Sequence, residues 1–183
     1  TIRVLGDLTR GDDIARVVET ATKELGPIDI LVHNAGGDIA AKGGKPDPND
    51  AVGIREEDVR AVLDRNLLST ILTCQAVAKE MMARRQGRIV TIGSVAAFKG
   101  RTNASIYAVA KAGMTHYTRC LADQLRSYDI TVNCIPPGDT RPGRFMGTSG
   151  VAGKRMVDVV PLGRHPTVEG VARRGATGRG PRG

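Results

Sequence analysis

A tyrosine and a lysine, Tyr107 and Lys111, lie four residues apart in the stretch SIYAVAKAG, among small and apolar side chains. If this stretch is helical, four residues rise by ~6 Å and bring both side chains onto one face. An ammonium group beside a phenol favours the phenolate, so we expect the pKa of Tyr107 to fall below its ordinary value of ~10. The two residues are therefore a candidate acid-base pair. Taken alone, the stretch leaves open the alternative of an ordinary surface tyrosine beside a solvated lysine.

The rest of the chain alternates between strand and helix patterns. Apolar runs without polar alternation predict strands over Ile2 to Leu5 and within IDILVHNAGG, GRIVTIGS and ITVNCIPPG. Apolar residues at helical spacing predict helices in GDDIARVVETATKELG and over Arg55 to Arg85. Strands of this kind are buried on both faces. The prediction is an α/β fold with a doubly wound parallel sheet and helices on both faces.

Small and polar residues follow each predicted strand, at the edge of a parallel sheet where ligands bind. They are Gly6-Asp7-Leu8, Asn34-Ala35-Gly36-Gly37, Gly93-Ser94 and Pro137-Gly138. Each group alone is typical of a turn, but together they form a rim at which a flat ligand could approach the backbone closely. Asn66 is polar on an otherwise apolar helix stripe. A buried amide needs hydrogen-bond partners, which a neighbouring backbone could also supply.

This constellation resembles the short-chain dehydrogenase/reductase family, which consists of nicotinamide-dependent oxidoreductases built on a Rossmann-type sheet. HNAG at 33 to 36 is similar to the family's NNAG turn. Ser94 precedes Tyr107 by thirteen residues, as the family's catalytic serine does, and YAVAK fits its YxxxK motif. YxxxK alone is shared with extended relatives that act on nucleotide sugars.

Three further elements match the family in the right order. Asn133 with the following Pro137-Gly138 resembles its N-x-x-x-P-G element, Asp7 resembles the acidic residue after its third strand, and Asn66 resembles its helix asparagine. The resemblance covers residues 1 to about 170. It implies a partial Rossmann-type domain over 1–170, without the first βαβ unit and the final strand, followed by a basic tail over 171–183.

The resemblance implies an NAD- or NADP-dependent oxidoreductase that interconverts an alcohol and a ketone. Tyr107 would carry the proton, Lys111 would lower the pKa of Tyr107 and bind the nicotinamide ribose, and Ser94 would hold the substrate oxygen. Asn66 would keep a water in line to Lys111. The cofactor contacts implied besides Tyr107 and Lys111 are Asp7 and Leu8 at the adenine, Asn34, Ala35 and Gly36 along its path, and Pro137, Gly138 and Thr140.

The sequence also departs from the family. Residues 1–183 contain no TGxxxGIG phosphate loop, so we expect that loop, and the residue that separates NAD from NADP, to lie upstream of Thr1. His33 replaces the first asparagine of NNAG, and Asp139-Thr140 stands where an apolar residue and a threonine are usual. We expect these 183 residues by themselves to bind neither NAD nor NADP with useful affinity.

Composition limits the other classes of function. Four of the eight net positive charges are arginines of VARRGATGRGPRG, whose composition predicts disorder, and the chain has only three Tyr and two Phe for stacking on bases. We therefore expect no specific nucleic-acid partner. The chain has no apolar run near the ~18 residues of a membrane span. Its three cysteines, Cys74, Cys120 and Cys134, indicate neither a disulfide framework nor a metal site.

These observations predict a cytoplasmic enzyme, which the resemblance makes a homo-oligomer (dimer or tetramer), with a small alcohol or ketone as substrate. A 3-oxoacyl group and a polyol or sugar are the favoured substrates, by analogy alone. Two other hypotheses stay open. The absent phosphate loop favours a non-catalytic assembly subunit, and the tail charge favours a nucleic-acid-binding protein.

Overall fold

The computed structural model of the protein describes residues 1–138. Three strands form one parallel sheet in the order β1 (Ile30–His33), β2 (Gly87–Ile92) and β3 (Ile130–Ile135). Val32 of β1 is in register with Val90, and Val90 is in register with Asn133 of β3. The parallel α/β prediction is confirmed. Thr140 and the predicted tail lie outside the described residues.

Helices precede and connect the strands. They are α1 (Gly11–Leu25), α2 (Glu56–Leu63), α3 (Ser69–Arg84) and α4 (Ser105–Leu125). A π-helical turn at Asp64–Leu68 joins α2 to α3, so the helix predicted over Arg55 to Arg85 is continuous but locally widened. Short 3-10 turns lie at Val95–Phe98 and Arg126–Tyr128. No helix within residues 1–138 is both long enough and apolar enough to cross a membrane.

Helices α3 and α4 cover one face of the sheet. The core between them consists of Cys74, Val77, Ala78, Met81, Ile89, Leu121, Leu125, Ile130 and Val132. On β1, Leu31 packs against this core, whereas the alternate residues Ile30 and Val32 are 59% and 54% exposed. The prediction that every strand is buried on both faces is therefore wrong for β1.

The strand predicted over Ile2 to Leu5 is also wrong. The first seven residues form no strand, and the Leu5 side chain is 71% exposed. A strand needs a neighbour that satisfies its backbone donors and acceptors. Within the described residues, β2 is the only neighbour that pairs with β1, so no adjoining strand is available to order this segment.

Candidate active site

The carboxyl ends of β2 and β3 are tied together at one edge of the sheet. The backbone amide of Gly93 donates to the carbonyl of Ile135 at 2.8 Å, and that of Val95 donates to the carbonyl of Pro137 at 3.0 Å. A Cβ atom on Gly93 would lie 2.7 Å from the Sγ atom of Cys134, so this close approach requires glycine. The two strand ends thus present Ser94 and Pro137 at the same edge.

Tyr107 lies in the first turn of α4, near enough to Ser94 for the serine side chain to act on its pKa. The structure therefore brings together the two residues that the thirteen-residue spacing predicted. Burial raises the pKa of Tyr107 above its ordinary value, the Ser94 side chain opposes this rise, and the charge of Asp38 adds to it. The expectation of a lowered pKa is not met in this structure, because desolvation of the phenolate is the largest effect.

Lys111 lies one turn further along α4, on the same side as Tyr107. Its Nζ atom is 5.7 Å from the centroid of the Tyr107 ring, so the ammonium group lies over the ring. Nζ donates a hydrogen bond to the carbonyl of Ile92 at 2.8 Å. Lys111 is only 4% exposed, and burial lowers its pKa to about 8.

Asn66 holds the turn after β1. Its Nδ2 atom donates to the carbonyls of Gly37 and Val62, both at 2.8 Å, and its Oδ1 atom accepts from the Gly37 amide at 2.9 Å. Both amide donors are thus used by backbone, which is the structural alternative that the sequence left open. The water-holding role of Asn66 stays a prediction.

Gly36 stands between Asn66 and Lys111. A Cβ atom at Gly36 would lie 2.5 Å from the Oδ1 atom of Asn66 and 3.5 Å from the Nζ atom of Lys111, and the φ angle is +142°. An L side chain rarely adopts this backbone conformation. The glycine therefore allows three predicted site residues to meet where the backbone turns away from β1.

His33 lies beneath this turn, buried at 3% exposure. The hydroxyl of Thr70 donates to the Asn66 carbonyl at 2.6 Å and is 3.2 Å from the Nδ1 atom of His33. Since the hydroxyl proton is already used, Nδ1 carries the proton of the ring, and Nε2 has no partner among the described residues. Burial, with a smaller contribution from Lys111, lowers the pKa of His33 to about 4.

The predicted adenine contacts lie in a separate turn before α1. One carboxylate oxygen of Asp7 accepts from the amide and the hydroxyl of Thr9, at 2.9 and 2.7 Å, and these bonds lower its pKa. No hydrogen bond or ion pair found within residues 1–138 joins Asp7 or Leu8 to the Tyr107 group. Asn34 and Ala35 follow β1 directly, with Asn34 exposed.

Asp38 was not predicted as a site residue, although its charge acts on Tyr107. It is the residue after Gly37, whose amide and carbonyl are fixed by Asn66. The only signal in the sequence was its position directly after the glycines that end a strand. A lone aspartate in a loop is also an ordinary turn residue, which is why sequence reasoning missed it.

The chain belongs to the short-chain dehydrogenase family, because the model of that family matches residues 1–149. The fold and the grouping of Ser94, Tyr107 and Lys111 agree with this membership. A cyclohexanol dehydrogenase of Rhodococcus sp. (strain TK6) is 38% identical over 177 residues, which are 93% of this chain and 64% of the relative. A 3-oxoacyl-[acyl-carrier-protein] reductase of Chlamydia muridarum is 34% identical over 92% of this chain and 64% of its own.

Two solved structures share the fold. A 7α-hydroxysteroid dehydrogenase complexed with NADH and 7-oxo glycochenodeoxycholic acid superposes with a TM-score of 0.81 at 29% identity, covering 94% of this chain and 64% of that one. An NAD⁺-bound xylitol dehydrogenase gives a TM-score of 0.80 at 26% identity, covering 93% and 69%. The chain thus spans about 64% of the length of the two curated relatives described above.

Proposed function

We propose that the protein is an NAD(P)-dependent oxidoreductase that interconverts an alcohol and a ketone, with Tyr107 as the proton carrier. The observation that carries the proposal is that the Ser94 side chain lies near enough to Tyr107 to lower its pKa, while the Lys111 ammonium lies 5.7 Å from the centre of the tyrosine ring. An alcohol oxygen placed between two hydroxyl groups can be held by one and deprotonated by the other. The related dehydrogenases and reductases, two of them complexed with NADH or NAD⁺, support the same reaction class.

The residues present fit the nicotinamide end of such a cofactor. Gly36 lacks a Cβ atom, which lets the side chains of Asn66 and Lys111 both lie close against the turn after β1. Lys111 donates to a single oxygen among the described residues, that of Ile92, although an ammonium group has three donors. Lys111 would therefore hold the nicotinamide ribose. The bound cofactor would supply the hydride acceptor or donor, and the protein would manage the proton.

In the direction of alcohol oxidation, Ser94 would position the substrate oxygen and Tyr107 would accept its proton. Burial holds Tyr107 protonated in this structure, so the same hydroxyl is well suited to donate a proton during ketone reduction. Asn66 acts as a positioning residue, because it fixes Gly37 and with it the turn beside Lys111. A homo-oligomeric assembly in dimers or tetramers is part of the proposal and rests on the resemblance alone.

Substitution of Tyr107 by phenylalanine tests the proposal. The test uses an extended form, defined as residues 1–183 preceded by the first βαβ unit of a family member that carries the TGxxxGIG loop. In this form, Tyr107→Phe is expected to lower kcat by about 10²–10⁴-fold while the Kd for NAD(P)H changes little, because only the proton carrier is removed. Turnover is followed by nicotinamide absorbance with cyclohexanol, xylitol and a 3-oxoacyl thioester.

Tyr128→Phe is the matched control, because Tyr128 lies in the 3-10 turn after α4 and stacks against Arg85 instead of the site. This variant should keep parental turnover. A Tyr107→Phe variant that turns over at the parental rate would refute the assignment. If the extended form binds the cofactor but oxidises or reduces none of the substrates, the non-catalytic hypothesis gains support.

A further inference from the structure

The loop 37–53 is fastened to the candidate active site at two points. Asn66 fixes Gly37 at the start of the loop through both its amide and its carbonyl group. Further along, the carbonyl of Asn49 accepts a 2.8 Å hydrogen bond from the amide of Ala104, which directly precedes α4 and lies three residues before Tyr107. The loop thus connects the turn after β1 with the start of the helix that carries Tyr107.

Asp38 and Asn49 meet between these two points. The Nδ2 atom of Asn49 donates to the Oδ2 atom of Asp38 at 2.7 Å. This bond leaves one oxygen on each side chain, the Oδ1 atoms of Asp38 and Asn49, buried and without a partner among the described residues. Two adjacent acceptors therefore have no donor. The Oγ atom of Ser105, next to Ala104, is also buried and unpartnered.

Unpaired buried acceptors are costly, and an ionised carboxylate costs more than a neutral group. A buried polar group without a partner calls for an explanation, and a ligand that supplies the missing donor is one. The Asp38 side chain is also close enough for its charge to raise the pKa of Tyr107. Asp38 is only half-buried, so part of its side chain is open to a ligand from solvent.

We propose that Asp38 and Asn49 form a specificity site that accepts a hydrogen bond from a second hydroxyl group, next to the carbinol that Tyr107 deprotonates. This inference rests on the proposed function and narrows its substrate to vicinal diols and polyols. A 3-oxoacyl thioester offers acceptors only at the corresponding position, so it leaves both oxygens unpaired. A substrate carboxylate at that position is repelled by the charge of Asp38.

The test compares three alcohols of one shape in the extended form: trans-cyclohexane-1,2-diol, its monomethyl ether and cyclohexanol. The ether keeps the oxygen of the second hydroxyl but cannot donate. We expect kcat/KM for the diol to exceed that for the ether by about 10-fold or more, since a site built around a donor rejects the analogue that lacks it. In Asp38→Ala, this ratio should fall to about one.

Two further variants guard against a general loss of structure. Asn49→Ala should reduce the same ratio, and Glu57→Ala should leave it unchanged, because Glu57 is an exposed carboxylate whose ion pairs are with Lys42 and Arg55. An ultraviolet difference titration adds a readout that does not depend on turnover. The pKa of Tyr107, identified by its absence in Tyr107→Phe, should fall in Asp38→Ala and stay unchanged in Glu57→Ala.

The outcomes separate the two proposals. Equal kcat/KM for the diol and the ether in the parent, or an unchanged ratio in Asp38→Ala, overturns the specificity site and leaves the oxidoreductase proposal intact. If no alcohol is oxidised, the proposed function fails. Ligand-observed NMR of diol binding then tests whether Asp38 binds the second hydroxyl group. Binding of the diol but not the ether that is lost in Asp38→Ala supports the site, and equal binding of both ligands overturns it.

Discussion

Lys111 is held in the protein at a cost in stability. The unfolded chain keeps the lysine proton up to a pKa of ~10.4, whereas burial lowers the pKa in the folded protein to about 8. The unfolded state therefore binds more protons between these two values, so stability rises as pH rises through this window. Below pH ~8 the full penalty is present, with an upper bound of about 3 kcal/mol, from which the bond to Ile92 subtracts about 1 kcal/mol.

We expect Lys111→Met to raise the free energy of unfolding by about 1–2 kcal/mol at pH 7, with a gain that shrinks as pH approaches 10. In the extended form the same change should weaken NAD(P)H binding by about 10-fold, because the donors for the ribose are gone. Urea denaturation and cofactor titration measure the two effects, and Lys79→Met on the exposed side of α3 is the control. A variant that loses stability at pH 7 contradicts the prediction.

His33 makes stability depend on pH in the same direction as Lys111 does, but in a more acidic window. Its pKa of about 4 in the folded protein lies below the ordinary value of 6.5, so the unfolded chain takes up a proton first as pH falls. Stability is expected to be constant above pH ~6.5 and to decline by up to about 3 kcal/mol toward pH 4. His33→Asn should flatten this decline, whereas His116→Asn, at an exposed position of α4, should leave it in place. Unfolding free energies at pH 7 and pH 4.5 measure it.

Ser94, Tyr107 and Lys111 could be predicted because they stand at a fixed spacing in the sequence. A serine thirteen residues before a tyrosine, with a lysine one helical turn later, fits the same helix and strand end in any chain that has this fold. The pKa of Tyr107 could not be predicted in this way. Its direction depends on burial and on Asp38, and neither can be read from the positions of Tyr107 and Lys111.

At the scale of elements, the turn after β1 works as a unit with the π-helical turn that contains Asn66. Gly36→Ala would place a Cβ atom 2.5 Å from the Oδ1 atom of Asn66 at a φ angle of +142°. We expect a loss of about 2–4 kcal/mol in unfolding free energy, combining backbone strain with steric conflict. Gly43 has a φ angle of +87°, but nothing lies within 4 Å of an added Cβ atom. Gly43→Ala should therefore lose only the part of the unfolding free energy that comes from backbone strain.

A double-mutant cycle separates the contact from the strain. In an Asn66→Ala background the Oδ1 atom is absent, so Gly36→Ala should cost about 1 kcal/mol less than it does in the parent. Identical costs in the two backgrounds would show that Asn66 does not press on the turn. Thermal and urea unfolding give the four free energies that the cycle requires.

Elements could be predicted where their pattern is long and local. The stripe from Val59 to Met81 fixed one continuous helix, but apolar spacing does not distinguish a π-helical turn from α-helix, so Asp64–Leu68 was missed. The segment Ile2 to Leu5 has a strand composition without forming a strand, because a strand is stabilised by its neighbour and not by its own sequence. Composition alone therefore overestimated the sheet at this end of the described chain.

At the scale of the whole molecule, the parallel order of β1, β2 and β3 could be predicted because short apolar strands alternate with amphipathic helices. The element that covers the outer face of β1 could not be predicted from the sequence. Ile30 and Val32 are apolar, as in a buried strand, yet they are more than half exposed within residues 1–138. Within the described residues, β1 is also an edge strand of the sheet, and an unpaired apolar strand edge promotes association between chains.

The last prediction concerns the 183 residues as a separate polypeptide. Nothing in them matches TGxxxGIG, so the pyrophosphate of NAD(P)H would lack the backbone amides and helix N-terminus that bind it in this fold. We expect no saturable change in nicotinamide fluorescence on titration, and self-association through the β1 edge in sedimentation velocity. The extended form should bind NAD(P)H and sediment as a defined species.

A matched extension, in which the glycines of TGxxxGIG are replaced by alanine, separates the two causes. It supplies the strands that cover β1 but not the phosphate loop, so it should restore a defined species without restoring cofactor binding. If it restores both, the sheet edge limits binding and the phosphate loop does not. Micromolar NAD(P)H binding by a monodisperse 183-residue protein would contradict the prediction, since the nicotinamide end of the site would then be sufficient to hold the cofactor.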